Sequence, residues 1–186
     1  MKNETEKIIK EDFDKYSLYG AYHFRWYEGK EKYRIHIDRV KDWIKEKSVI
    51  DIGAGEGVLV SMLGINGIDS SEKAVELARS FGIFVDIGDA CSLPYRDEKF
   101  ESAYMGDTLE HIKDPSLCIR EARRVIRKYL YIATPLKSKL SDPYEYNNWT
   151  IGEFLVLVER EGFKTDDVSI IKNGAEDRAY VKFKKI

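Results

Sequence analysis

The stretch Val49-Ile50-Asp51-Ile52-Gly53-Ala54-Gly55-Glu56-Gly57-Val58 narrows most sharply what this chain can become. Val49, Ile50 and Ile52 are β-branched, as a buried parallel strand prefers. Gly53, Gly55 and Gly57 leave room for a ligand to lie against the backbone, and the amides that open a following helix point at that space. A strand that ends in such a turn is where open α/β sheets bind nucleotides. A dinucleotide fingerprint needs a third glycine where Val58 stands, and an acidic residue farther on than Asp69. A phosphate loop needs Gly-Lys-Ser or Gly-Lys-Thr, which this sequence lacks.

The elements that follow alternate. Strands are expected at Ser48–Ile52, Gly67–Asp69, Ile83–Ile87, Phe100–Met105 and Leu130–Ala133. Helices are expected at Ile35–Lys45, Ser71–Phe81, Pro115–Ile126 and Thr150–Glu161, with a very short one at Val58–Leu63. Thr165–Ile171 and Arg178–Lys184 alternate around Asn173-Gly174 as a hairpin. This order predicts an α/β fold: a Rossmann-like three-layer sandwich around a mostly parallel seven-stranded sheet with a C-terminal antiparallel hairpin. At 186 residues the chain is expected to be one domain, with residues 1–35 as a lid or cap and 36–186 as the core.

Residues 1–35 are dense in aromatics, among them Phe13, Tyr16, Tyr19, Tyr22, Phe24, Trp26 and Tyr33. They either cap one edge of the core or form a lid with Tyr19, Tyr22, His23 and Trp26 facing a ligand. The formal charge of −2 gives no global reason for nucleic-acid binding, so such a partner is not favoured. Cys91 and Cys118 are too few for a disulfide scaffold or a zinc cluster, and they point to reduced thiols in a cytoplasmic protein. No apolar run approaches the roughly 20 residues that span a bilayer.

Several motifs together resemble the class I S-adenosylmethionine-dependent methyltransferase family, in its small, type 11-like form. Val49 to Gly57 resembles the first motif, and Gly67-Ile68-Asp69-Ser70-Ser71 the second-strand segment. Gly88-Asp89-Ala90-Cys91-Ser92-Leu93-Pro94-Tyr95 is similar to the adenine segment, and Phe100 to Asp107 with Leu109-Glu110-His111 to the fourth strand and its loop. The resemblance covers about residues 45–165 in the family's order. It implies a cofactor site of Asp51, Gly53, Ala54, Gly55, Asp69, Ser70, Asp89, Ala90 and Gly106 for S-adenosyl-L-methionine, with S-adenosyl-L-homocysteine as product and no metal. Asp69 would accept from both ribose hydroxyls, where the alternative is a helix cap. Asp89 would accept from the adenine amine while the Ala90 amide donates to the ring, where the alternative is a turn residue.

The acceptor end is less specified. His111, His23 and Asp107 are the candidate bases for an oxygen or nitrogen acceptor. Tyr19, Tyr22, Trp26, Tyr146 and Trp149 are the candidate substrate contacts. His111 could equally brace the helix after Asp114-Pro115. The expected partner is a small-molecule acceptor of a monomer or homodimer with no membrane attachment. The alternatives are methylation of RNA or protein, with Arg123, Arg124, Arg127, Lys128, Lys137 and Lys139 as a basic patch, and a catalytically silent cofactor-binding module. Arg127-Lys128-Tyr129 replaces the family's glycine pair and is expected to tighten or redirect the turn before the fifth strand. Met105-Gly106-Asp107-Thr108 stands where an Asn-Pro-Pro-Tyr motif would mark amino-methylation of bases or glutamine.

Overall fold

The computed structural model describes residues 15–137, 145–172 and 177–186. Three helices open it: α1 (Lys15–Tyr19), α2 (Tyr22–Gly29) and α3 (Glu31–Trp43). The chain then runs β1 (Val49–Ile52), α4 (Val58–Leu63), β2 (Asn66–Asp69), α5 (Glu72–Ser80), β3 (Asp86–Ile87) and β4 (Phe100–Gly106). A 3₁₀ turn (Leu109–His111), α6 (Pro115–Val125), β5 (Ile126–Pro135), α7 (Ile151–Arg160), β6 (Phe163–Ile171) and β7 (Arg178–Lys185) complete it. The seven strands are ordered β3-β2-β1-β4-β5-β7-β6. β1 to β5 pair in parallel, while β7 runs antiparallel to both β5 and β6. Strand order reverses between β1 and β4, the switch point at which open α/β sheets bind ligands.

The sheet is covered on both faces, so β1 is buried along its whole length and β4 along most of its own. One face sends Ile50, Ile52, Met105 and Ile132 into the larger core, against Cys118, Ile119 and Ala122 of α6 and Phe154 and Val158 of α7. The other sends Val49, Tyr104, Tyr131 and Ala133 against Ile37 and Val40 of α3. A smaller cluster joins Val60 of α4 to Val75 and Ala78 of α5. The helix ends follow local chemistry. Ser71 caps α5 by accepting from the Ala74 amide at 3.1 Å. Asp114 precedes Pro115 and caps α6, and Thr150 with Glu153 forms a capping box on α7.

Two expectations shift. The third strand contracts to Asp86–Ile87 because Ile83 and Val85 turn inward onto the small cluster, leaving Phe84 88% exposed. The turn expected at Arg127–Tyr129 does not form. α6 passes directly into β5, and those residues are strand. The extra length is absorbed where Phe100 pairs with Ile126 but Ser102 pairs with Tyr129, a one-residue bulge. Arg127 donates to the Glu98 carbonyl at 2.9 Å and Lys128 to Glu101 at 2.7 Å, fixing the segment. The Asn173-Gly174 turn lies outside the described residues, but the strands it was expected to join pair from Ile171 to Phe163.

Candidate active site

β1 delivers Asp51 and the glycine loop to the switch point. Gly53 and Gly55 take φ of +84° and +56°, the left-handed region that favours glycine. A side chain at Gly53 would strike Thr108, and one at Gly55 would strike the Tyr16 hydroxyl. β2 delivers Asp69, whose carboxylate accepts from the Gly55 amide at 2.7 Å and the Ser71 amide at 2.8 Å. Ser70 beside it is exposed. The Gly88 amide after β3 donates to the Asp69 carbonyl at 2.9 Å, which places Asp89 and Ala90 next along the strand ends. Asp89 is exposed and accepts from the Cys91 amide at 2.8 Å.

Asp51 differs from these. It is only 3% exposed, and no described residue donates a hydrogen bond to its carboxylate. Burial first, then the charge of Asp69, pushes its pKa up to about 8. With so little contact with water the carboxyl is costly to ionise, and a ligand ammonium beside it would favour the charged form. The acceptors around the loop therefore fit an ammonium at Asp51 and a diol or amine at Asp69 and Asp89.

The N-terminal helices cover this shelf. Glu56, the charged residue inside the glycine loop, is fully buried. It accepts from the backbone amides of His23 at 2.6 Å and Phe24 at 3.3 Å, and from His23 Nδ1 at 2.8 Å. α2 has no side-chain cap of its own at Ala21, so a carboxylate from another part of the chain satisfies its first amides and faces its positive end. Burial acts to raise the Glu56 pKa, but hydrogen bonding and the charge of His23 bring it below the ordinary value. The Tyr16 hydroxyl lies 3.1 Å from His23 Nδ1. Tyr22 sits 4.0 Å from His23 and 5.0 Å from Trp26 between ring centres, and Tyr33 stacks on His23 at 5.8 Å. Tyr22 and His23 are half-buried over the loop, whereas Tyr19 and Trp26 are exposed.

β4 supplies the opposite wall. Gly106 ends it, and Asp107 follows at φ +51°, its amide donating to the Ala133 carbonyl at 2.9 Å. The Asp107 carboxylate pairs with the Arg178 guanidinium. Burial tends to raise the Asp107 pKa, yet the charge of Arg178 and then His36 holds it below the usual carboxylate range. His36 Nδ1 lies 2.8 Å from the Tyr180 hydroxyl and Nε2 3.4 Å from that of Tyr104, and burial pushes its pKa down to about 4. Glu110 is buried, and its pKa is driven well up by burial and then by Asp107. His111 is half-buried in the 3₁₀ turn, its amide donating to the Thr108 carbonyl at 3.0 Å.

The two substrate candidates beyond β5 separate. The Tyr146 amide donates to the Glu110 carbonyl at 2.8 Å, and its ring stays exposed. Trp149 packs into the larger core 5.6 Å from Phe154, with no acceptor for its indole N–H among the described residues. Phe13, Lys139 and Tyr144 lie outside the described residues. Most of the basic residues noted in the sequence are tied into the structure. Arg123 donates to the Gly162 and Ile186 carbonyls, Arg124 to Glu121 and Asp97, and Arg127 and Lys128 as described above.

Sequence reasoning missed Glu56, His36, Arg178 and Tyr180. Glu56 carried a signal, being the one charged residue within the glycine loop. The others carried none, because their partners lie far along the chain: 71 residues separate Arg178 from Asp107 and 144 separate His36 from Tyr180.

Residues 50–132 match the family model described as a methyltransferase domain. An uncharacterised protein of Methanocaldococcus jannaschii is 30% identical over 118 residues, 62% of this chain and 56% of that one. An O-methyltransferase of Penicillium expansum is 26% identical over 150 residues, 67% of this chain and 54% of that one. The chain thus spans about half the length of these curated relatives. The crystal structure of an S-adenosylmethionine-dependent methyltransferase of Thermotoga maritima superposes with a TM-score of 0.76 at 23% identity, over 92% of this chain and 98% of that one.

Proposed function

We infer that this chain, which shares its fold with an S-adenosylmethionine-dependent methyltransferase and whose residues 50–132 match a methyltransferase-domain model, is an S-adenosylmethionine-dependent methyltransferase acting on an oxygen or nitrogen of a small molecule. The observation that carries this is the unpartnered, buried Asp51 beneath a glycine loop, with Asp69 and Asp89 at the ends of the next two strands. S-adenosylmethionine supplies a methyl on a sulfonium, whose carbon–sulfur bond breaks with its electron pair left on sulfur as the acceptor bonds the carbon, so the products are methylated acceptor, S-adenosylhomocysteine and a proton.

The chain's own residues divide the remaining work. Asp51 takes the cofactor's ammonium, Asp69 the ribose hydroxyls, and Asp89 with the Ala90 amide the adenine edge. Gly53, Ala54, Gly55 and Gly106 allow backbone to approach closely, and Ser70 borders the ribose. The cap of residues 15–35 excludes water and aligns the acceptor, which is where most of the rate is gained when the leaving group is already activated. Tyr22, with Tyr19 and Trp26 farther out, lines the entrance, and Tyr146 borders it from the segment after β5.

Among the three candidate bases, Asp107 is the one the geometry favours, since it is charged, partly exposed and at the end of β4. His23 is engaged by Glu56 and serves to hold the cap. His111 braces the turn before α6. A small acceptor is favoured over RNA or protein because Arg123, Arg124 and Lys128 already have partners within the chain. A cofactor-binding module without turnover remains the contrasting outcome of the test.

Methyl-labelled S-adenosylmethionine incubated with separate pools of phenols, amines, RNA and protein tests this. Label should appear in a small-molecule pool and fall at least a hundredfold with Asp107→Asn. Label in RNA or protein alone, or in no pool, would overturn it.

A further inference from the structure

Arg178 opens β7, opposite Pro135 of β5. Because β7 is antiparallel, its first residue arrives at the carboxyl ends of the parallel strands, beside Asp107. The loop after β4 holds two carboxyls, Asp107 and Glu110, close enough to influence each other. They differ in contacts. Asp107 is partly exposed and takes the guanidinium, while Glu110 is buried and accepts from the Thr134 hydroxyl at 3.4 Å. The other groups facing Asp107 are His23 and Tyr22 from α2, Tyr33 and His36 from α3, Tyr104 from β4 and Tyr180 from β7. The phenols are neutral, and His36, held between two of them with its pKa pushed down to about 4, carries charge only at low pH. Arg178 is therefore the permanent cation in this group.

We propose that Arg178 is the positioning residue of the transfer site, fixing the Asp107 carboxylate at the end of β4 and making it, rather than Glu110, the charged carboxyl there. Two like carboxyls in one site separate into a charged and a neutral member when their surroundings differ. Burial of Glu110 supplies part of that difference, and the guanidinium from β7, paired directly with Asp107, supplies the rest. It also holds Asp107 in a left-handed backbone conformation that a non-glycine residue seldom adopts. This inference rests on the methyltransferase reading of the site.

The test is a carbon-detected titration of the Asp and Glu carboxyls with S-adenosylhomocysteine present, the Asp107 signal being the one absent in Asp107→Asn. Arg178→Gln should move the Asp107 midpoint up by about one pH unit or more, the size expected on removing an adjacent opposite charge. Arg178→Lys should restore most of that shift. The acid limb of the transfer rate should move in the same direction, with kcat reduced more than KM is raised. Arg178→Met carries the same expectation if the Gln variant does not fold. An unmoved Asp107 midpoint, or equal behaviour of the Gln and Lys variants, would overturn the proposal. S-adenosylhomocysteine affinity measured on the same samples keeps the two claims apart. Its absence in the wild type would sink the methyltransferase reading, whereas retained affinity with an unmoved midpoint sinks only the role of Arg178.

Discussion

Asp51 shows what a single side chain contributes before any ligand is bound. Its folded pKa, pushed to about 8 by burial, lies above the 3.8 of an ordinary aspartate. The stability tied to the protonated form is complete below about 4 and is lost as pH rises through 8. The slope is at most ~1.4 kcal/mol per pH unit. Thermal melts of the ligand-free protein from pH 5 to 9 should therefore show falling stability, and Asp51→Asn should flatten the curve. If the Asn variant falls as steeply, the group has been misassigned. A ligand ammonium requires the carboxylate, so binding near pH 7 should release a proton. Calorimetry in two buffers of different ionisation enthalpy reads that release, and identical heats would contradict it. Asp69 and Asp89 could be singled out only through the family resemblance of the segments that carry them, and the structure sets both at the carboxyl ends of neighbouring strands. His36 and Arg178 were not legible in the sequence, because an ordinary helix position and an ordinary strand start acquire their meaning only from distant partners.

Among the elements, α2 depends most visibly on another part of the chain. Its first amides are satisfied by Glu56, and a hydrogen bond to a charged acceptor contributes about 1.5–3 kcal/mol. Glu56→Gln should raise amide exchange across Tyr22–Gly29 while leaving β1 and β4 protected. Uniform loss of protection would show a global defect instead. Because the Glu56 pKa is depressed, this local stability is present above about 4.5 and is lost as pH falls through the folded value. The helices were legible from apolar spacing, and α7 from its capping box. Edges and junctions were less so. β3 shrank because its apolar residues had a better burial site beneath α4 and α5 than on the sheet edge. β5 began early because a helix can feed a strand directly when a bulge absorbs the register.

For the molecule as a whole, two cores share one sheet, and the larger lies beneath α6 and α7. Phe154→Ala, at a fully buried position of that core, should cost about 3–5 kcal/mol in denaturant unfolding without altering ligand affinity, since α7 lies on the face away from the cap. A change in affinity would show that the cores are coupled. The alternation of strands and helices made the parallel sheet and its closing hairpin foreseeable, and the glycine loop that ends β1 falls at the switch point of that sheet. The meeting of the cap, the end of β4 and the start of β7 was not foreseeable, because they come together only in three dimensions. The central claim is that Asp51, Asp69 and Asp89 form an adenosyl site at the switch point. Calorimetric titration with S-adenosylhomocysteine tests it most directly. One site per chain, weakened at least a hundredfold by Asp69→Ala in a folded protein, is the predicted result. No binding by the wild type, or undiminished binding by Asp69→Ala, would contradict it.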